Sequence, residues 1–333
     1  MTDEQAAVFF YTGEGPMPQN TTLSTLLEAG TDLVLDGALA TELEAHGCDL
    51  EDALWSAKVL LEQPHLIKQV HRDYFDAGAS VAITASYQAT PQGFARRGLS
   101  VPESLELVTL SVRLADEARQ EALAEGSANG PLLVAGSVGP YGAYLADGSE
   151  YRGDYRLSAA EFQDFHRPRI AALAEAGADF LACETLPSYA EAEALLALVA
   201  EFDVEAWFTF TLRDSGHISD GTPLEQVAAL LSAEPRVAAV GINCVPLELV
   251  SEALANLQQA SGKPLVAYPN SGETYDAVTK TWGPSQGVQG GGTLAGNAAD
   301  WRDRGAHLIG GCCRTTPRDI EELAANMTPR EPS

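Results

Sequence analysis

Three of the five cysteines in this chain stand in positions that fit a metal site. Cys312 and Cys313 are adjacent, and Cys244 directly follows an asparagine. Thiolate sulfur is a common ligand of Zn²⁺, and catalytic zinc sites combine three protein ligands with one exchangeable position. A thiol that binds at such a position loses its proton at neutral pH. The three cysteines therefore predict a zinc site that holds a substrate thiol as a nucleophile, ready for alkylation.

The adjacent cysteines also admit two other interpretations. Neighbouring side chains on a strand point to opposite faces, so Cys312 and Cys313 can share a metal only where the strand breaks off. Gly310 and Gly311 precede them and give the backbone that freedom. Without a metal, the pair would be two buried core thiols or a strained vicinal disulfide.

Composition places the chain among globular proteins of a reducing compartment. Its 333 residues fit one large or two ordinary domains, and 45% of them are hydrophobic. The acidic start and the lack of a long apolar run argue against a secretion signal and a membrane span, which predicts a cytoplasmic protein. The net charge of −27 repels polyanions and argues against nucleic-acid binding. Five cysteines are too few for a disulfide framework, and we expect Cys48 and Cys183 to be inert.

Eight short runs rich in Val, Leu and Ile alternate with amphipathic stretches, as is typical of parallel strands covered on both faces. The runs are Asp32–Leu35, Ser80–Thr84, Leu132–Gly136, Asp179–Cys183, Ala206–Thr211, Val237–Ile242, Pro264–Tyr268 and His307–Gly310. Eight strands, each followed by a helical stretch, predict an α/β fold of the (β/α)₈ TIM-barrel class, with an open doubly wound sheet as the alternative. We expect a single barrel domain over residues 23–327, preceded by a poorly ordered arm over residues 1–22 and followed by a tail over residues 328–333.

Helix starts and two long connections complete this outline. Ser158, Ser188 and Thr222 each precede a glutamate by three residues, which predicts capping boxes, and Thr316 begins a related motif. The connection from Gly139 to Tyr155 is rich in Gly and Tyr, and we expect it to form a lid. The connection from Pro269 to Gly296 contains a run of three glycines, for which we expect mobility.

Polar residues follow most of the predicted strands, at the end of a barrel where active sites lie. The amides after Asp36 are candidates to hold a carboxylate, although an Asp-Gly pair is by default a turn. Glu184 is a candidate partner of an ammonium group or a member of a structural ion pair. Trp55, Tyr87 and Tyr144 either face a cationic ligand with their rings or pack in the core. The histidines show no spaced pair, and we expect them to be structural.

Eight motifs of the chain match those of a known family. They are Asp36-Gly-Ala-Leu-Ala-Thr-Glu-Leu43, Leu54-Trp-Ser-Ala-Lys58, Thr84-Ala-Ser-Tyr-Gln-Ala-Thr-Pro91, Gly136-Ser-Val-Gly-Pro-Tyr-Gly-Ala-Tyr144, Cys183-Glu-Thr185, Gly241-Ile-Asn-Cys244, Tyr268-Pro-Asn-Ser-Gly272 and Gly310-Gly-Cys-Cys-Arg-Thr315. With these motifs the chain resembles the zinc-dependent homocysteine S-methyltransferases, and most closely the bacterial type that uses S-methylmethionine. The resemblance extends from Leu26 to Leu323.

The resemblance implies a (β/α)₈ barrel in which Cys244, Cys312 and Cys313 bind one Zn²⁺ per chain. Homocysteine sulfur would take the open position and accept a methyl group from S-methylmethionine, a sulfonium donor, to give methionine. The segment from Asp36 to Ala38 and Glu184 would recognise the amino-acid end of homocysteine, and Trp55 would lie on the donor side. The substrate-binding residues implied in this way are Asp36, Gly37, Ala38, Glu184, Trp55 and Asn243.

Several alternatives stay open at this level. Relatives use S-adenosylmethionine or betaine as the donor, and selenocysteine is an alternative acceptor. Outside this class, the adjacent thiols suit a metal or redox sensor. An aldolase or lyase barrel is disfavoured, because Lys58, Lys68, Lys263 and Lys280 do not follow predicted strands. The expected partners are small molecules, with no nucleic acid and no membrane, and the sequence leaves the oligomeric state open.

Overall fold

The predicted strands pair side by side in the order in which the chain forms them. The computed structural model describes residues 22–50, 56–126, 130–271, 274–276, 281–283 and 292–327. Its strands are β1 (Leu33–Val34), β2 (Val81–Ile83), β3 (Leu133–Val138), β4 (Phe180–Leu186), β5 (Ala206–Phe210), β6 (Leu212–Asp214), β7 (His217–Ile218), β8 (Val237–Asn243), β9 (Leu265–Tyr268), β10 (Thr274–Asp276), β11 (Thr281–Gly283) and β12 (Ala306–Ile309). Eight of them form one parallel sheet in the order β1-β12-β9-β8-β5-β4-β3-β2, while β6–β7 and β10–β11 are short antiparallel pairs.

The sheet closes on itself where β1 meets β2. Leu35 and Val81 form a parallel bridge, and the Asp36 amide donates to the Val81 carbonyl at 3.0 Å. The Asp36 side chain adds a third link, since its Oδ2 accepts the Ile83 amide at 2.7 Å. The closed ring confirms the predicted barrel and excludes the open doubly wound sheet.

Helices cover the outside of the barrel, and one helix closes its floor. They are α1 (Leu23–Glu28), α2 (Leu39–Ala45), α3 (Ser56–Glu62), α4 (Pro64–Asp76), α5 (Pro91–Ala95), α6 (Val101–Glu125), α7 (Tyr141–Leu145), α8 (Ala159–Glu175), α9 (Tyr189–Phe202), α10 (Leu224–Ser232), α11 (Leu247–Ala260), α12 (Leu294–Asp303) and α13 (Pro317–Asn326). In α1, Leu23, Leu26 and Leu27 belong to the same buried cluster as the inward-facing strand residues, so this helix seals the amino-terminal end.

Successive residues of the barrel strands point alternately into the barrel and toward the helices. In β5, Trp207 packs in the interior cluster with Phe180 and Tyr268, whereas Phe208 belongs to the cluster between barrel and helices. Both clusters are buried, which explains why the strands read as continuous apolar runs and not as alternating ones.

Two of the four predicted helix caps form as expected. Ser158 and Thr316 make capping boxes, with the side chain of the residue three positions on returning to the cap amide. The predictions at Ser188 and Thr222 are wrong, since neither side chain caps a helix. Glu191, the expected partner of Ser188, is instead buried in a network described below, and the carbonyl of Thr222 accepts the Ile218 amide in the hairpin turn.

Several sequence predictions fall outside the described residues. These are the arm up to residue 21, the tail from residue 328, Trp55, and most of the glycine-rich connection after β9, apart from β10, β11 and the residues from Gly292 on. The connection from Gly139 to Tyr155 is described, and it folds into α7 and a 3₁₀ turn (Ser149–Tyr151). Within the described part of the chain, no helix is both long enough and apolar enough to cross a bilayer.

Replacing Gly241 with alanine should destabilise the barrel strongly. A Cβ atom there would lie 1.7 Å from the Val266 carbonyl oxygen on β9, so the backbone of one strand must move. We expect the free energy of unfolding to fall by about 3 kcal/mol or more, measured by urea denaturation. Gly262→Ala is the matched control, because its Cβ would meet no atom within 4 Å, and it should leave the unfolding midpoint unchanged. Equal stability of the two variants would contradict the close β8–β9 contact.

Candidate metal centre and active site

The three cysteines singled out from the sequence converge at the carboxyl end of the barrel. Cys244 directly follows β8, and Cys312 and Cys313 follow β12 after two glycines. The Sγ atom of Cys244 lies 3.0 Å from that of Cys312 and 3.5 Å from that of Cys313. All five cysteines are free thiols, so no vicinal disulfide forms. Cys48 and Cys183 lie outside this group, in agreement with the sequence prediction.

The turn that carries Cys312 and Cys313 depends on close packing against the end of β1. A Cβ on Gly310 would lie 2.5 Å from the Leu35 Cβ, and one on Gly311 would lie 2.3 Å from the Thr315 Oγ1. Neither glycine has a positive φ, so they are needed for close approach and not, as the sequence suggested, for an unusual backbone conformation. Thr315 Oγ1 donates to the Cys312 carbonyl at 2.6 Å, which holds the turn in place.

Hydrogen bonds couple the three thiols. Those from Cys312 and Cys313 lower the pKa of Cys244 well below its usual range. The same contacts with Cys244 raise the pKa of both donors. The arrangement therefore favours the thiolate form of Cys244, and thiolates are the ligands that a soft cation prefers.

The donor set fits a tetrahedral metal with one free position. Three thiolates on a zinc ion at ~2.3 Å lie about 3.8 Å from one another. The observed sulfur atoms all lie within 4.8 Å of one another, so small side-chain rotations suffice. Among the described residues this group contains no fourth Cys, His, Asp or Glu ligand. The residues present therefore fit a three-cysteine metal site that is open on one side.

Asp36 and the two residues after it border this site from the end of β1. Asp36 is 4% exposed, and burial raises the pKa of its carboxyl well above the usual value. One carboxylate oxygen already accepts the Ile83 amide at the barrel seam. The Ala38 amide donates to Thr315 Oγ1 at 3.2 Å, so it supports the cysteine turn. A Cβ on Gly37 would lie 2.8 Å from the Tyr74 ring, which shows that this segment is tightly packed.

Glu184, near the end of β4, is a second buried carboxyl of the site. Ser137 donates to its Oε1, and the Tyr268 hydroxyl donates to its Oε2 at 3.1 Å. Burial raises its pKa to about 7, and these hydrogen bonds act in the opposite direction. The carboxylates of Glu184 and Asp36 repel each other, which adds to the rise at Asp36. A positively charged ligand would relieve this repulsion.

Asn243 has a role that differs from the one its motif suggested. Its Oδ1 accepts the Thr185 amide at 2.7 Å, and its Nδ2 donates to the Thr185 hydroxyl at 2.8 Å. Thr185 has a φ of +59°, a conformation that a threonine adopts only when its surroundings hold it. Asn243 thus fixes the backbone next to Glu184, and its contact with a substrate stays a prediction.

Comparison with known proteins assigns the chain to a family. The family model described as "Homocysteine S-methyltransferase" matches residues 33–327. This chain belongs to that family. A curated relative, the homocysteine S-methyltransferase of Escherichia coli strain K12, is 59% identical over 310 residues, which are 93% of this chain and 99% of that protein. The homocysteine S-methyltransferase YbgG of Bacillus subtilis is 54% identical over 88% of this chain and 93% of its own length.

Solved structures agree with this assignment. The metallated form of the homocysteine methyltransferase MmuM from Escherichia coli superposes with a TM-score of 0.83 at 57% identity, and the match covers 91% of this chain and 99% of that one. A relative with another acceptor in its name, the selenocysteine methyltransferase of Astragalus bisulcatus, is 45% identical over 90% of this chain and 93% of its own. The family resemblance inferred from the eight motifs is therefore confirmed.

The three aromatic candidates do not share one location. Trp55 lies outside the described residues. Tyr87 lies close enough to Cys244 for the thiolate to contribute to a pKa that burial raises well above its usual value. Tyr144 is occupied elsewhere, since the Arg96 guanidinium stacks on its ring at 4.4 Å from the centroid. Of the three, Tyr87 is the one that the described structure places near the metal centre.

Two residues next to the thiols were missed in the sequence. Tyr151 lies in the 3₁₀ turn, and its hydroxyl is 3.4 Å from the Cys244 Sγ. Asn270 follows β9, and its buried Oδ1 has no hydrogen-bond partner in the described structure. The composition of the Gly- and Tyr-rich connection after β3 indicated a lid, and Tyr151 lies in this connection. That lid packs over the metal centre as a folded segment.

A buried network on α8 and α9 holds the lid. Arg169 is fully buried, and it donates to the Tyr87 carbonyl at 2.8 Å and to the Gly139 carbonyl at 2.6 Å. It also lies 2.9 Å from the Nδ1 atom of His166. An arginine can only donate, so Nδ1 accepts and the Nε2–H of a neutral His166 donates to Glu191. Burial lowers the pKa of His166 and favours this neutral form.

Glu191 completes the network on the lid side. Its Oε1 accepts the Tyr141 amide at 2.6 Å, and the Tyr155 hydroxyl donates to its Oε2. Both ends of the lid are therefore anchored to the same buried carboxylate. The network explains why Ser188 has no capping partner, and it makes His166 structural, as the sequence predicted.

Arg169→Lys should destabilise the protein because an ammonium group cannot reach both carbonyls and the imidazole at once. We expect the free energy of unfolding to fall by about 3 kcal/mol, measured by urea denaturation. Arg167→Lys is the control on the same helix, since the Arg167 side chain is 37% exposed and pairs with Glu201 at the surface. That change should cost less than about 1 kcal/mol. Comparable losses in both variants would contradict the anchoring role of Arg169.

Proposed function

We propose that this protein transfers a methyl group from S-methylmethionine to the thiol of L-homocysteine and produces methionine, with one Zn²⁺ held by Cys244, Cys312 and Cys313. The observation that carries the proposal is the open three-thiol site at the carboxyl end of the barrel. Two buried carboxyls, Asp36 and Glu184, stand at the same mouth. A ligand with a thiol at one end and an ammonium group at the other matches this arrangement.

The chain's residues bind and orient the acceptor in this proposal. When bound, zinc supplies a Lewis acid that keeps the acceptor thiol ionised at neutral pH. Glu184 pairs with the ammonium group of homocysteine. Ser137 and Tyr268 donate hydrogen bonds to the Glu184 carboxylate and hold it in position. Asp36 offers a second negative charge, and Gly37 and Ala38 border the carboxylate end. Fixing both ends of the acceptor places its sulfur in line for attack.

Methyl transfer from a sulfonium needs no general acid. The homocysteine sulfur forms a bond to the methyl carbon, the bond from that carbon to the donor sulfur breaks, and the donor leaves as a neutral thioether. Opposite charges are neutralised in the transition state, so the reaction is faster where water is excluded. The folded lid, with Tyr151 against Cys244, supplies such a cover.

The finer choices within the reaction rest on the family resemblance. S-methylmethionine is proposed because the eight motifs match the bacterial type that uses it, and S-adenosylmethionine and betaine are the alternatives. The selenocysteine methyltransferase of Astragalus bisulcatus shows that a relative of this chain is named for another acceptor. The competing sensor function predicts reversible thiol oxidation and no methyl transfer with any donor.

Cys312→Ala should abolish both metal binding and activity, because two thiolates cannot replace a three-cysteine site. We expect about one zinc per chain in the wild type by elemental mass spectrometry and less than a tenth of that in the variant. Cys48→Ala is the control, since this buried thiol contacts Gln63 and does not belong to the three-cysteine group, and it should keep the zinc. Retention of stoichiometric zinc by Cys312→Ala would refute the metal assignment.

A donor panel with homocysteine tests the reaction itself. Methionine formation, followed by mass spectrometry, should be at least about tenfold faster in kcat/KM with S-methylmethionine than with S-adenosylmethionine or betaine. A labelled donor methyl should appear in the product once per turnover. Turnover with S-adenosylmethionine alone would overturn the donor assignment, and no turnover with any donor would favour the sensor.

A further inference from the structure

The 3₁₀ turn Ser149–Tyr151 carries a carboxylate whose role the chemistry above does not use. Tyr151 places this turn directly over the metal centre, with its hydroxyl 3.4 Å from the Cys244 Sγ. Glu150 is the residue before it. Burial raises the pKa of Glu150 to about 7, and the Cys244 thiolate contributes to the rise. Because Glu150 directly precedes Tyr151, it belongs to the turn that packs against the thiols.

The backbone of Glu150 is held from two sides. Its carbonyl accepts a hydrogen bond from the Thr211 hydroxyl at 3.0 Å, just after β5. On the other side, a Cβ on Gly142 would lie 2.6 Å from the Glu150 amide nitrogen, so α7 packs directly against the turn. The backbone position of Glu150 is thus fixed by the fold.

The carboxylate accepts a hydrogen bond from its own backbone amide, but one of its two oxygens lacks a partner. Its Oε2 atom is buried and makes no hydrogen bond to any part of the chain that the structure describes. The nearest cation in sequence, Arg152, is directed to Asp154, the Asp147 carbonyl and the Ser149 hydroxyl. A buried acceptor left unsatisfied is costly, and such an atom in an active site indicates a ligand group that completes it.

Tyrosines lie near this turn, since a Cβ on Gly142 would lie 2.6 Å from the Glu150 amide nitrogen and 2.8 Å from the Tyr155 ring. The negative charge of Glu150 contributes to the raised pKa of Tyr87, Tyr151 and Tyr155. A carboxylate among aromatic rings is a typical environment for binding an organic cation. Homocysteine already has two carboxyls for its ammonium group, Asp36 and Glu184, on strands β1 and β4. The lid carboxylate is therefore left for the other substrate.

We propose that Glu150 binds the positively charged methyl donor and thereby selects sulfonium amino acids. This inference rests on the proposed function and assigns its donor site. Two groups of S-methylmethionine carry a positive charge, the sulfonium and the ammonium, and both suit the carboxylate. Ion pairing with the sulfonium weakens as its charge is lost in the transition state, whereas pairing with the ammonium stays constant. In the first case Glu150 stabilises the bound donor more than the transition state, so removing its charge raises KM and leaves kcat unchanged or slightly higher. In the second case it stabilises both states equally, so only KM rises.

Steady-state kinetics of Glu150→Gln in the zinc-loaded enzyme test this assignment. The substitution keeps the shape of the side chain and removes its charge. We expect the KM for S-methylmethionine to rise about tenfold or more, while kcat and the KM for homocysteine change less than about threefold. Calorimetric titration of S-methylmethionine into the homocysteine-loaded protein at low temperature should show the same loss of affinity.

Asp154→Asn is the matched control. Asp154 lies on the same segment, its side chain is 59% exposed, and it pairs only with Arg152 among the described contacts. This variant loses the same charge and should keep the wild-type KM values. Zinc content and the unfolding midpoint, measured for both variants, show whether each protein is folded and loaded.

Methionine as a competitor of the donor identifies the group that Glu150 contacts. Methionine retains the ammonium but lacks the sulfonium, so weaker inhibition of Glu150→Gln assigns the contact to the ammonium. Unchanged inhibition with a raised donor KM assigns it to the sulfonium. An unchanged donor KM, or an equal rise in the homocysteine KM, overturns the inference while leaving the proposed reaction intact. A wild-type enzyme that does not use S-methylmethionine overturns both.

Discussion

The three cysteine thiols lie together because the backbone after β12 passes within contact distance of the end of β1. Gly310 and Gly311 have no Cβ, and any side chain there would collide with Leu35 or Thr315. The contact bends the chain so that two adjacent cysteines, which on a continuous strand would point to opposite faces, can both reach the sulfur of Cys244, just after β8.

Negative charge at one end of the barrel is the second organising feature. Asp36, Glu184 and Glu150 are all withdrawn from water, and burial raises the pKa of each. Folding such groups costs free energy that a neutral core would save. The arrangement becomes favourable when cations enter, and a metal ion, an ammonium group and a sulfonium are the cations that the proposed reaction provides. The free-energy cost of burying these carboxyls is offset when cations bind, and this contributes to their affinity.

Patterns of local sequence were sufficient to predict the fold and the convergence of the three cysteines. Eight apolar runs separated by helical stretches have few arrangements other than a closed barrel, and a barrel brings all strand ends together regardless of sequence distance. Cys244 and Cys312 could therefore be paired without knowing any contact. The specific pattern of adjacent cysteines after two glycines supplied the rest.

Contacts between distant segments were not predictable in this way. Ser188 and Glu191 have the spacing of a capping box, yet the glutamate turns inward because His166 and the lid offer better partners. Asn243 reads as a substrate ligand in its motif, although its amide also holds Thr185. Glu150 is singled out because its buried Oε2 atom has no hydrogen-bond partner among the described residues. The spacing of residues in the sequence does not predict this property.

The sealing of the barrel floor by α1 has a consequence for the order of events. Leu23, Leu26 and Leu27 close the amino-terminal end, so the proposed substrates would reach the strand ends from the opposite side. In the proposed arrangement the acceptor contacts strand ends, whereas the donor contacts the lid that lies above them. In this arrangement the acceptor binds before the donor that covers it, and the product formed from the acceptor leaves last. The proposed geometry thus favours an ordered kinetic mechanism over a random one.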